Sequence, residues 1–172
     1  MTLIKSVRGY TPTYEDHCWF ADTATLIGNV RMGAYCTVWF NAVVRGDVNS
    51  ITIGDYTNIQ DGAIVHCTYL KASTTIGSYV SIGHNAIVHG CTIEDNVLIG
   101  MGAIVMDGAI VEEGAIVAAG AIVTQGKKVE KGTIYAGNPA RFLKNVSEEQ
   151  RALNIRTAHN YVKYASWFKE NA

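Results

Sequence analysis

IEDNVLIGMGAIVMDGAIVEEGAIVAAGAIVTQGKKV, residues 93–129, places an aliphatic side chain at every sixth position: Ile93, Ile99, Val105, Val111, Val117, Val123 and Val129. An amphipathic helix is excluded, because its 3.6-residue turn would smear a strict six-residue repeat around the whole cylinder. A short β-face followed by a corner can restart every six residues, and three such faces close one triangular coil. Val97, Ala103, Ala109, Ala115 and Ala121 stand two places before five of these aliphatics, where a tight corner leaves little room inside, and glycine marks the same corners. The register continues backward through Leu26, Met32, Val38 and Val44, then Ile53, Ile59 and Val65, then Ile76, Ile82 and Val88. Its spacing slips from Val44 to Ile53, from Val65 to Ile76 and from Val88 to Ile93. A loop or slip is therefore predicted once per coil, with Val44, Val65 and Val88 on one face. Coils of this kind stack about 4.8 Å apart and bury their aliphatic residues against one another.

Gly137-Asn138-Pro139 breaks the period and reads as the chain's exit from the coils. Ser147-Glu148-Glu149-Gln150 reads as a capping box that opens a helix. On that helix Leu153, Ala158, Tyr161, Val162, Ala165 and Phe168 form an apolar stripe suited to packing on the coils or on a neighbouring subunit. The expected organisation is a β-helix domain over 1–140, with a short N-terminal lead-in, and a helical tail over 141–172. A net charge of −1 with no basic run argues against nucleic-acid binding. The opening residues have no signal-peptide pattern and no apolar run reaches spanning length, so no membrane association and a cytoplasmic location are expected. Cys18, Cys36, Cys67 and Cys91 form no close CxxC pair and suit a reducing compartment. Cys36 and Cys91 precede Val38 and Ile93 by two places and read as buried corner residues, whereas Cys67 adjoins His66.

Three of the five histidines, His66, His84 and His89, fall among repeats otherwise built of aliphatic and small residues. His66 follows Val65 and His89 follows Val88, so these two share an outward-facing column one coil apart. His84 stands two places after Ile82, on the preceding face. The chain from His84 to His89 turns a corner and spans up to about 16 Å if extended, which makes coordination of one metal by a single chain awkward. The register therefore points to His84 reaching a metal held by another subunit. Arg45 occupies the column of His66 and His89, while Gln60 and Asp61 flank the column of His84. His17 and His159 have no partner in register.

The periodicity resembles that of the hexapeptide-repeat proteins, which implies an all-β, left-handed parallel β-helix that commonly trimerises. Arg45-Gly46-Asp47, Asn58-Ile59-Gln60-Asp61-Gly62, Val65-His66, Gly83-His84 and Val88-His89-Gly90 look like the ordered motifs of gamma-class carbonic anhydrases and their shorter relatives, some named ferripyochelin-binding proteins. That resemblance implies a homotrimer with zinc at each subunit interface, held by His66 and His89 of one chain and His84 of the next. Iron or cobalt would also suit imidazole ligands. It further implies interface ion-pair and supporting roles for Arg45, Asp47 and Asp61, with Gln60 beside the reacting water and Tyr161 lining the site. The implied activity is a lyase reaction, reversible hydration of carbon dioxide to bicarbonate by hydroxide generated on zinc. Val48 follows Asp47 where the best-known members carry glutamate, and Cys67 to Thr75 contains no acidic residue, so the usual carboxylate shuttles are missing. Alternative functions are an acyltransferase with a histidine base, a thioesterase-like metal hydrolase acting on another small molecule, or a metal-binding scaffold without turnover.

Overall fold

A computed structural model describes residues 1–169 and shows a parallel β-helix with one C-terminal helix. The first face is an eight-stranded sheet that includes Trp19–Phe20, Thr37–Val38, Asn58–Ile59, Ser81–Ile82, Leu98–Ile99 and Ile116–Val117. The second face carries Ile64–His66, Ile87–His89, Ile104–Val105 and Ile122–Val123. Thr74–Ile76, Thr92–Ile93, Ile110–Val111 and Lys128–Val129 make the third. Side chains alternate in and out along each short strand, so every sixth-position aliphatic from Leu26 to Val129 points into the core and is buried. Each such valine or isoleucine contributes about 1.5–3 kcal/mol relative to exposure. Val44 pairs with Val65, Val65 with Val88 and Val88 with Val105, which puts the three slip positions on one face as the spacing required.

The nine-residue step after Val44 is not a loop. Val43–Ile53 is one continuous strand that bends round the corner between the second and third faces, paired along Thr25–Met32 with a register shift between Gly28 and Val30. The extra residues bulge outward instead of leaving the sheet, and this holds Asp47 beside the second face. Gly46 is needed there because a Cβ would stand 2.6 Å from the Asn29 carbonyl oxygen. The step after Val65 is a true turn, with Thr68 and Ala72 bridged across it. At another corner Tyr35, Tyr56 and Tyr79 all adopt positive φ (58°, 54° and 57°). Their rings stack at 4.7 and 5.0 Å, which offsets part of the cost of that backbone.

The N-terminal residues are more than a lead-in, since Leu3–Lys5 and Thr13–Tyr14 add parallel pairs to Thr25–Met32. At the other end the chain reverses after Gly137, and Arg141–Asn145 returns antiparallel to Thr133–Ala136. Helix Glu148–Lys169 follows. Its start is the expected capping box: Gln150 N–H donates to Ser147 Oγ at 3.3 Å and Ser147 N–H donates to Gln150 Oε1 at 3.0 Å. The expected stripe holds at Ala158, Tyr161, Val162 and Ala165 and departs from the sequence reading at Leu153. Asn154, Ala158 and Ala165 are buried, whereas Leu153 is 46% exposed. One position is about 100° on a helix, enough to turn Leu153 outward, and the Asn154 amide instead donates to the Asn96 carbonyl at 3.4 Å. Tyr161 packs edge-on against Trp39, and Phe168 meets Trp19 and Phe40, so the helix docks on the first face.

Candidate metal centre

The second face sets His66 and His89 one above the other, since these residues are paired in adjacent strands. His66 Nδ1 lies 3.1 Å from His89 Nε2. The opposite nitrogen of each ring meets a carboxylate: His66 Nε2 is 3.0 Å from Asp47 Oδ1, and His89 Nδ1 is 2.5 Å from Asp107 Oδ1. A carboxylate only accepts, so each takes the proton of the nitrogen facing it. With both outer nitrogens protonated, two lone pairs face each other across the gap, an arrangement that either a shared proton or a metal ion between them would satisfy. Nitrogens bound at the usual distance to a tetrahedral zinc stand about 3.3 Å apart, so this pair fits two of its positions. A hydrogen-bonded outer nitrogen is also the usual support of a metal-binding imidazole.

Electrostatics agree with a neutral His66 ring beside ionised acids. Burial lowers the His66 pKa, with the Arg45 charge and His89 acting in the same direction against the pull of Asp47. Burial works to raise the Asp47 carboxyl, but hydrogen bonds from His66 and Arg45, with the guanidinium charge, hold it below the ordinary range. Asp107 is lowered likewise, against burial, by hydrogen bonds from Thr68 and His89. Arg45 Nη1 reaches Asp47 Oδ2 at 2.5 Å within the same chain.

His84 lies on a different face. Its Nδ1 is 2.9 Å from Asp61 Oδ2, the ring is 40% exposed, and Nε2 meets no partner among the described residues. Beside it a cavity of about 400 Å³ is lined by Gln60, His84, Leu98, Met101, Thr157 and Tyr161. Gln60 is buried and donates through Nε2 to Asn58 Oδ1 at 3.0 Å. Burial, the Asp61 charge and Tyr164 push the Tyr161 phenol up to about 12, so it stays protonated. The structure thus brings Arg45, Asp47, His66 and His89 together, and separately gathers Gln60, Asp61, His84 and Tyr161. Among the described residues of one chain, no three His, Cys, Asp or Glu side chains form a group able to hold a metal.

Cys67 is buried, with its thiol directed to the Asn49 carbonyl at 3.4 Å. His17 stacks on Tyr35, and His159 lies against Tyr56 and Tyr79. Asp107 is the residue that sequence reasoning missed. The pairing of Val88 with Val105 sets it beside Gly90, one coil from His89; the register gives that position, but not the side-chain contact with His89.

Two hexapeptide families match the chain: "Bacterial transferase hexapeptide (six repeats)" over residues 90–125 and "Hexapeptide repeat of succinyl-transferase" over residues 73–105. Gamma carbonic anhydrase 1, mitochondrial, of Arabidopsis thaliana is 42% identical over 94% of this chain, and the chain spans 61% of that relative's length. A carbonic anhydrase of Geobacillus kaustophilus is 35% identical over 97% of this chain and 91% of its own. The crystal structure of a hexapeptide transferase family protein from Anaplasma phagocytophilum superposes with a TM-score of 0.92 at 39% identity, covering 96% of this chain and 98% of that one.

Proposed function

The chain belongs to the hexapeptide-repeat proteins related to the gamma carbonic anhydrases, and from that premise we propose that it is a metal-dependent lyase hydrating carbon dioxide reversibly. The metal is zinc, with iron or cobalt as alternatives, held in a homotrimer by His66 and His89 of one chain and His84 of the next. One repeated device carries this reading: each of the three imidazoles has one nitrogen against a carboxylate, Asp47, Asp61 or Asp107, and the other free of any acid. When bound, the metal supplies a Lewis acid that ionises water near neutral pH and makes it a nucleophile toward carbon dioxide.

The chain's own residues do the rest. Asp47, Asp61 and Asp107 hold the rings in the tautomers that leave the inner nitrogens bare, and Arg45 holds Asp47. Gln60, its amide fixed by Asn58, orients the attacking water. Tyr161, protonated at neutral pH, donates a hydrogen bond to the oxygen that becomes negative as bicarbonate forms. The apolar side of the cavity, Leu98 and Met101, keeps bulk water from competing with carbon dioxide. Cys67 to Thr75 offers no acid to carry the released proton away, so proton transfer limits turnover and a diffusible base should speed it. The four free cysteines suit a cytoplasmic protein, and among the described residues no helix is long and apolar enough to cross a membrane.

The transferase family name of the Anaplasma phagocytophilum relative favours a transferase as the second reading, and the histidine base of an acyltransferase is the form of it that the sequence suggests. Stopped-flow hydration of carbon dioxide by zinc-loaded protein separates the two. Hydration above the buffer background, rising with imidazole concentration and lost in His84→Ala, is expected. Protein purified without chelators that contains no stoichiometric metal and hydrates no carbon dioxide would contradict the lyase.

A further inference from the structure

Asp107 sits in the corner Met106-Asp107-Gly108, one coil beyond His89. Both of its carboxylate oxygens are committed: Oδ1 lies 2.5 Å from His89 Nδ1, and Oδ2 accepts from Thr68 Oγ1 at 2.5 Å. Thr68 belongs to the turn that follows His66, so the chain Thr68–Asp107–His89 ties three successive coils at the edge of the second face. The same turn is pinned a second time. Thr74 Oγ1 donates to the His66 carbonyl at 2.5 Å and accepts from the Gly90 N–H at 2.9 Å.

We propose that Thr68 and Asp107 are a positioning pair for metal binding: Asp107 holds His89 in its Nδ1–H tautomer with Nε2 as the metal donor, and Thr68 fixes the carboxylate that does so. The inference rests on the metal centre proposed above. A neutral imidazole without a partner in water carries its proton mainly on Nε2, the nitrogen that must here be bare. The hydrogen bond at the other nitrogen decides the tautomer, and Asp107 reverses the preference. Thr68 matters because a carboxylate with one oxygen free could rotate away, whereas one bonded at both oxygens cannot turn without losing both contacts. Neither residue touches the reacting atoms.

Nitrogen-15 spectra of histidine-labelled, metal-free protein at alkaline pH report the His89 tautomer directly, and competition with a chromophoric chelator gives the zinc affinity. The wild type should show the Nδ1–H form. Asp107→Ala should move the proton to Nε2 and weaken zinc by about 10–100-fold. Asp107→Asn keeps an acceptor oxygen and should keep the tautomer. Thr68→Val should weaken zinc by less than Asp107→Ala does, and Thr68→Ser should restore it. Asp107→Ala with the wild-type tautomer and affinity would overturn the proposal. Should that variant fail to fold, a Thr68→Val protein indistinguishable from wild type in both measurements would overturn it instead. A wild type that binds no zinc, yet keeps the Nδ1–H form through Asp107, would sink the metal centre and with it the role of the pair, while leaving the hydrogen bond intact.

Discussion

Mixing His66→Ala chains with His84→Ala chains should restore metal sites that neither variant forms alone. His66 and His89 lie on the second face, while His84 points from the first with its Nε2 bare, and no single chain gathers the three among its described residues. In a closed trimer each site then takes a pair, His66 and His89, from one chain and His84 from the next. A site is intact where a His84→Ala chain supplies the pair and a His66→Ala chain supplies His84. At equal mixing each condition is met half the time, so about one quarter of all sites should be regained. Every trimer containing both variants, in either ratio, carries one intact site. Differently tagged chains, unfolded together, refolded and purified through both tags, would be assayed for zinc per trimer. One zinc in each doubly tagged trimer is expected, against none in either parent. Confirmed exchange with no regained zinc would refute the shared site.

Two further outcomes test the fold. Ile99→Ala and Ile110→Ala make the same chemical change at a fully buried inward position and at an outward one that is 41% exposed. The first should cost about 3–4 kcal/mol, from lost transfer energy plus a cavity, and the second under about 1 kcal/mol; denaturant unfolding at fixed subunit concentration compares them, and equal losses would break the register. Ser147→Ala removes the Oγ acceptor of the capping box and should cost about 1 kcal/mol. A circular-dichroism melt at the same concentration reads that loss, and an unchanged midpoint would mean the cap contributes nothing.

The coils are legible because one rule, an aliphatic side chain at every sixth position, resumes after each of its three slips between Leu26 and Val129, and each of these residues is buried. The pairing of His66 with His89, and of His84 with Asp61, followed by counting along that rule. Where the rule lapses the sequence says less. The bend within Val43–Ile53 keeps its sheet pairing while losing the six-residue period, so spacing alone does not tell this slip from a loop. A stripe counted over apolar residues takes in Leu153, which is five places before Ala158 and out of phase, whereas Asn154 has the right phase and a carbonyl to receive its amide hydrogen. Asp107 precedes a glycine in a corner and looks like any turn aspartate. Its contact with His89 depends on a side chain reaching back across one coil, which spacing along the chain does not reveal.

Diffraction from crystals of zinc-loaded protein, recorded on either side of the zinc absorption edge, locates the metal itself. One anomalous peak per chain is expected at a subunit interface, bonded to His66 and His89 of one protomer and to His84 of its neighbour, with Asp47, Asp107 and Asp61 on the far nitrogens. A peak held by one chain alone, or no peak near His66 and His89, would contradict the shared metal site.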